Sequence, residues 1–301
     1  MKNHLTSLFI VLLFLVTPVG AENPRQVLED PTFSRGFILT GATHRESKRT
    51  ETLGRKNVKP AWQIAQWHSK GKLDRIDRCE RSIRLYDDFK SVTLDRETGA
   101  INLTLEASKE YEKPRTSASD PWVHLLLEQS PFREPVKIAD AKTIWVEFDF
   151  ELTRLQVHGK PDPGLHTAQV GWFLYLKNQN RESKGFHDFL WFGLSLFDAR
   201  RDFTKLYAAQ DFAMPEGRFI YTLGSESYLK EKVSVGKRHR VRFDILPEIQ
   251  KALEVAHSRG FILHSTVADM SFDGTNIGWE IPGVYDVGIT FHHLSIEVEK
   301  K

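Results

Sequence analysis

This chain of 301 residues has one cysteine, Cys79, and so no intramolecular disulfide. A chain of this length is held by its hydrophobic core instead, and a single large β domain is allowed. Charge of one sign is missing too. Against 42 Lys and Arg stand 40 Asp and Glu, a formal net charge of +2, so no global field favours nucleic acid or anionic lipid. Beyond Leu8–Val16 there is no long apolar run, which argues against an integral membrane protein. That run follows Lys2 and precedes the small residues Val19-Gly20-Ala21. It is short for a bilayer span and has the pattern of a secretion signal over residues 1–21, with Glu22 as the expected mature start. The sequence also lacks a Gly-x-Ser-x-Gly elbow, a phosphate-binding glycine loop and a His-Glu-x-x-His pair.

What is present is mainly strand signal. Residues 22–90 read as a loop-rich extension packed on a sandwich of residues 91–301, with Trp62 and Trp67 plugging one end of the core. Ser91–Leu94 and Ile101–Glu106 alternate around the turn Arg96-Glu97-Thr98-Gly99. Trp122–Gln129 is a short apolar run. Ala141–Val157 reads as a long strand with Ile144, Val146, Phe148, Phe150 and Leu152 inward. A bulge near Thr153 then shifts the inward phase to Leu155 and Val157. His166–Asn178, His187–Asp198, Arg218–Leu223 and His239–Leu246 continue the series, and Asp286–Val298 changes phase around His292-His293. One helix is expected over Pro247–Arg259, where Ile249, Ala252, Leu253 and Ala256 recur at helical spacing before Gly260. A single helix among strands points to an all-β jelly-roll sandwich of the concanavalin A-like kind, with one amphipathic crossover helix.

The faces opposite the aliphatic phase carry the chemistry. Glu147, Asp149 and Glu151 form a row on one strand face. If the sheet order makes the strands neighbours, that surface also holds Gln169, Phe173, Tyr175, His187 and Trp191. Aromatic rings stack on the apolar faces of sugar rings, while carboxylates and amides bond the hydroxyls. The expected ligand is thus a poly- or oligosaccharide. Two loops add candidates: Asp198 and Arg200 at a strand end, and Trp279-Glu280 beside Pro282-Gly283. Asp269, Asp273, Asn276 and Asp286 are oxygen donors of the type that hold calcium, without EF-hand spacing. The basic clusters are local: Arg45–Lys56 reads as a solvated loop and Lys237–Arg242 as the outer face of a strand.

Glu147-Phe148-Asp149-Phe150-Glu151 resembles the Glu-x-Asp-x-Glu strand of glycoside hydrolase family 16, a concanavalin A-like jelly roll acting on β-glucans and galactans. The resemblance covers five residues. It implies Glu147 as nucleophile, Asp149 as its assistant and Glu151 as acid/base, in a retaining mechanism. The flanks differ from the family pattern, with Trp145-Val146 before and Thr153-Arg154-Leu155 after. Three functions stand open: a carbohydrate-binding protein, a retaining glycoside hydrolase, and an envelope structural or interaction protein whose rings are covered.

Overall fold

The computed structural model describes residues 24–41, 48–52, 58–211 and 218–301; the expected signal segment and most of the Arg45–Lys56 cluster lie outside them. The chain forms two sheets around one core. The smaller runs, in spatial order, Arg238–Asp244, Ala141–Val157, Tyr285–Lys300, Ile101–Glu106, Lys90–Asp95, Ser82–Tyr86 and Arg75–Arg78, with Arg25–Gln26 also against Tyr285–Lys300. The larger runs Tyr207–Gln210, Phe219–Leu223, Phe189–Asp198, Gln169–Asn178, Met270–Ile281, Val123–Gln129, Trp62–Ala65, Phe37–Leu39 and Arg49–Glu51. The short Val136–Lys137 pairs with Met270–Ile281. Pairing is antiparallel except between Phe189–Asp198 and Phe219–Leu223, and between Phe37–Leu39 and Trp62–Ala65. This is the expected all-β sandwich.

The inward phase of Ala141–Val157 is as expected: Ile144, Val146, Phe148, Phe150 and Leu152 are all buried. The register with Tyr285–Lys300 slips between Leu152 and Arg154, leaving Thr153 as the extra residue. It slips again between Asp149 and Phe150, where His292 is extra on the opposite strand. Both phase changes are therefore bulges. Leu155 and Val157, expected inward, are exposed instead. The flanking Arg238–Asp244 ladder ends at Glu151, so the end of the long strand has a neighbour on only one side.

The helix spans Leu246–Ser258, with Pro247 in its first turn and Gly260 at φ 84° just beyond. It buries Leu246, Ile249, Ala252, Leu253 and Ala256 and connects the smaller sheet to the larger. Residues before Lys90 are more than a packed extension, because they supply short strands to both sheets. Met270–Ile281, which carries the oxygen donors Asp273 and Asn276 considered for calcium, is a strand inside the larger sheet rather than a loop.

Candidate functional site

Phe148 of the smaller sheet meets Trp172 of the larger edge-on, ring centroids 5.7 Å apart, across the core. Residues of opposite phase therefore leave the sandwich on opposite sides. Glu147, Asp149 and Glu151 face out from the smaller sheet. Gln169, Phe173, Tyr175 and Trp191 face out from the larger. The expectation that acids and rings share one surface is corrected by the sheet order. Ala141–Val157 is flanked by Arg238–Asp244 and Tyr285–Lys300, and neither belongs to the sheet that carries the rings.

The acidic row is matched by a basic one. Glu147 stands opposite Arg242, Asp149 opposite Arg240 and Glu151 opposite Arg238. Arg238 donates to Asp149 through Nε and Nη2, both at 2.6 Å; Arg240 donates through the same atoms at 3.1 and 3.0 Å. Burial alone would raise the Asp149 carboxyl, but the bonds and charges of the two guanidiniums outweigh it and hold the group below the usual range. Arg242 lies 4.0 Å from Glu147, 3.5 Å from Glu297 and over the Trp145 ring at 4.6 Å. Around these carboxylates stand cations and a solvated sheet face, with Trp145 under Arg242 and the His292 imidazole 3.8 Å from Glu151.

The larger sheet presents a different surface. A Cβ added at Gly171 or Gly193 would lie 2.7 or 2.6 Å from the Phe173 ring. The two glycines therefore let that ring lie down on two adjacent strands. Trp191 meets Phe173 at 86° and Tyr175 at 83°, with centroids 6.1 and 4.8 Å away. Its indole N–H donates to Asp211 at 3.0 Å. The Tyr175 hydroxyl donates to Glu128 at 3.0 Å and accepts from Asn276 at 2.9 Å. Burial, and then the Glu128 charge, push this phenol well above its ordinary pKa, so it stays a donor. Gln169 donates to Glu280 at 3.1 Å, and Lys177 is paired with Asp273. At the Glu280 end, His124 stands opposite Glu280 across the strand pair. It stacks on Trp122 at 5.6 Å and meets Trp67 edge-on at 5.4 Å.

Of the residues expected in the site, Gln169, Phe173, Tyr175, Trp191 and Glu280 come together. Trp279 does not: its phase turns it into the core, where its indole N–H donates to Leu103 O at 3.2 Å. His187 lies in the turn after Asn178 at φ 78°, against the Phe186 ring. Asp198 and Arg200 bond one another at the end of a strand, and Asp198 also accepts from Thr167 at 2.7 Å. The oxygen donors considered for calcium do not converge. Asp269 accepts from Thr266 and Asn180, Asp273 from Lys177, and Asp286, on the other sheet, from Ser108, Arg154 and His158. Among the described residues no group of three or more His, Cys, Asp or Glu is placed to hold a metal. Glu128, His124, Trp67 and Trp122 were missed as site residues. Their signal was the polar phase of Trp122–Gln129, where His124 and Glu128 interrupt an apolar run.

No protein-family model matches the chain, and no curated protein matches it. Solved structures similar to it include the endoglucanase Cel12A from Rhodothermus marinus, at 10% identity over 73% of this chain and 93% of that one, TM-score 0.41. The native family 12 xyloglucanase from Bacillus licheniformis is 10% identical over 74% of this chain and 97% of that one, TM-score 0.44. The catalytic domain of Humicola grisea Cel12A, in complex with a soaked thio cellotetraose, is 10% identical over 91% and 99%, TM-score 0.40. No residue's role passes from them to this chain.

Proposed function

We propose that this is an exported carbohydrate-binding protein that seats a poly- or oligosaccharide on the outer face of its larger sheet. The observation that carries this is the Phe173 ring lying over Gly171 and Gly193, with Trp191 perpendicular beside it and bonding side chains on the neighbouring strands. A flat ring offers an apolar surface to a sugar's C–H face, and Gln169, Glu280, Asn276 and Glu128 offer donors and acceptors to its hydroxyls. Phe173, Trp191, Gln169, Glu128 and Glu280 are half-buried, set into the sheet yet in reach of solvent.

The carboxylates of this face are spread over several strands and a neighbouring loop. Glu128 pairs with Asn276, and His124 pairs with Glu280, so the two carboxylates are offset by four residues along adjacent strands. That offset is about 13 Å between backbones, and Asp211 and Asp273 are further carboxylates of this face, bonded to Trp191 and Lys177. The apolar N-terminal run supports export. The test titrates the mature chain with a panel of soluble polysaccharides by calorimetry and tryptophan fluorescence, with reducing ends assayed in parallel. Saturable binding without new reducing ends, weakened at least tenfold by Trp191→Ala, is expected. Release of reducing ends would make the protein a hydrolase, and no binding to any glycan would leave a structural or interaction protein.

A further inference from the structure

We propose that His124 and Glu280, framed by Trp67 and Trp122, form an end subsite that binds a pair of neighbouring sugar hydroxyls. Resting on the glycan-binding reading above, this extends the site past the Phe173 platform to its far end. The Gln169, Glu280 and His124 row lies four residues from the Phe173, Asn276 and Glu128 row along the same three strands. That is about 13 Å, room for further units of a chain already stacked on Phe173.

The case rests on a buried imidazole standing opposite a carboxylate with one oxygen not used by Gln169. His124 is only 8% exposed, yet its Nδ1 has no hydrogen-bond partner, and neither does the buried indole N–H of Trp122 beside it. Most buried polar groups are bonded, and leaving one unmade costs about 1–3 kcal/mol. Nδ1 is buried from solvent, so the bond to a ligand is made by Nε2, which donates or accepts according to the tautomer. Burial lowers the pKa of the imidazole, outweighing the pull of Glu280 in the other direction, so the ring is neutral at neutral pH. His124 thus contributes one ring nitrogen, Nε2. Glu280 uses Oε2 to accept from Gln169 and has no ion pair among the described residues, so Oε1 remains an acceptor. One ring nitrogen beside one carboxylate oxygen matches two adjacent hydroxyls, one bonding Nε2 and one donating to Oε1. An anionic sugar would meet an uncompensated carboxylate there.

The experiment uses the mature chain and cello-, xylo- and manno-oligosaccharides of two to six units, titrated by calorimetry. Wild-type affinity rises with length as chains reach past the platform. His124→Phe keeps the ring's bulk and removes the ring nitrogens, so it loses about tenfold on the longest chains and nothing on the shortest. His124→Asn, which restores a polar side chain, recovers part of that loss, and Glu280→Gln mirrors His124→Phe. Trp191→Ala weakens every length. If His124→Phe and Glu280→Gln both keep the full gain with length while Trp191→Ala abolishes binding, the end subsite is wrong and the binding face stands. If no oligosaccharide or polysaccharide binds the wild type, both fall together. Thermal melts of each variant show that it is folded before it is titrated.

Discussion

At the residue scale, Asp149 shows what the acidic row does. Two guanidiniums bond one carboxylate, and its pKa lies below that of an ordinary Asp, about 3.9. For a group depressed on folding, the stabilisation is complete above the unfolded value and is lost as pH falls through the folded one. Asp149→Asn should cost about 2 kcal/mol at neutral pH. The difference from wild type should shrink as pH falls below about 3.9 and through the lower folded value; urea midpoints at neutral pH and along a descending pH series check this. Lys90 is a second buried charge. Its ammonium donates to Ser69 at 2.6 Å and Asp87 at 3.0 Å and lies 3.9 Å from Glu110. Burial lowers its pKa, although both carboxylates pull the other way. Lys90→Met would leave Asp87 and Glu110 buried together without a cation, with a loss of about 3–5 kcal/mol read by urea unfolding. Gly193 tests the platform. A methyl there would press on Phe173, so Gly193→Ala should weaken glycan affinity more than it lowers the melting temperature.

At the scale of elements, the legible ones were those whose side chains obey a single period. The helix was visible because its apolar stripe is uninterrupted, and Leu253→Ala within that stripe should cost about 2–5 kcal/mol by denaturant melt. The bulges at Thr153 and His292 were visible because an extra residue inverts the alternation. Most strands before Lys90 were missed because several hold only two to five residues and pair with partners distant in sequence. Met270–Ile281 resembled a loop for a different reason. Asp273, Gly274, Asn276, Gly278 and Glu280 are poor strand formers, but the outer face of this strand carries the polar groups of the site. Gly274 and Gly278 sit where Tyr175 and the Leu125 backbone come close. Local propensity gave way there to the composition of the face.

At the scale of the whole molecule, alternation along each strand told which residues face outward but not from which sheet. Each outward row was legible in the sequence, but the partition between rows is a property of strand order. The acids with their arginines now lie on one side of the sandwich and the rings with their amides on the other, with the core between them. Two packed sheets sit about 10 Å apart, so an outward side chain of one shares no partner with an outward side chain of the other. Substitutions on the two faces should then act independently. Glu147→Gln removes an exposed pairing with Arg242 and should change stability by less than about 1 kcal/mol, with glycan affinity unchanged. Trp191→Ala should lower affinity at least tenfold. In the double variant, affinity should equal that of Trp191→Ala alone, and the stability changes should sum to within about 0.5 kcal/mol. Loss of affinity in Glu147→Gln by itself would place the ligand on the acidic face and move the site to the smaller sheet.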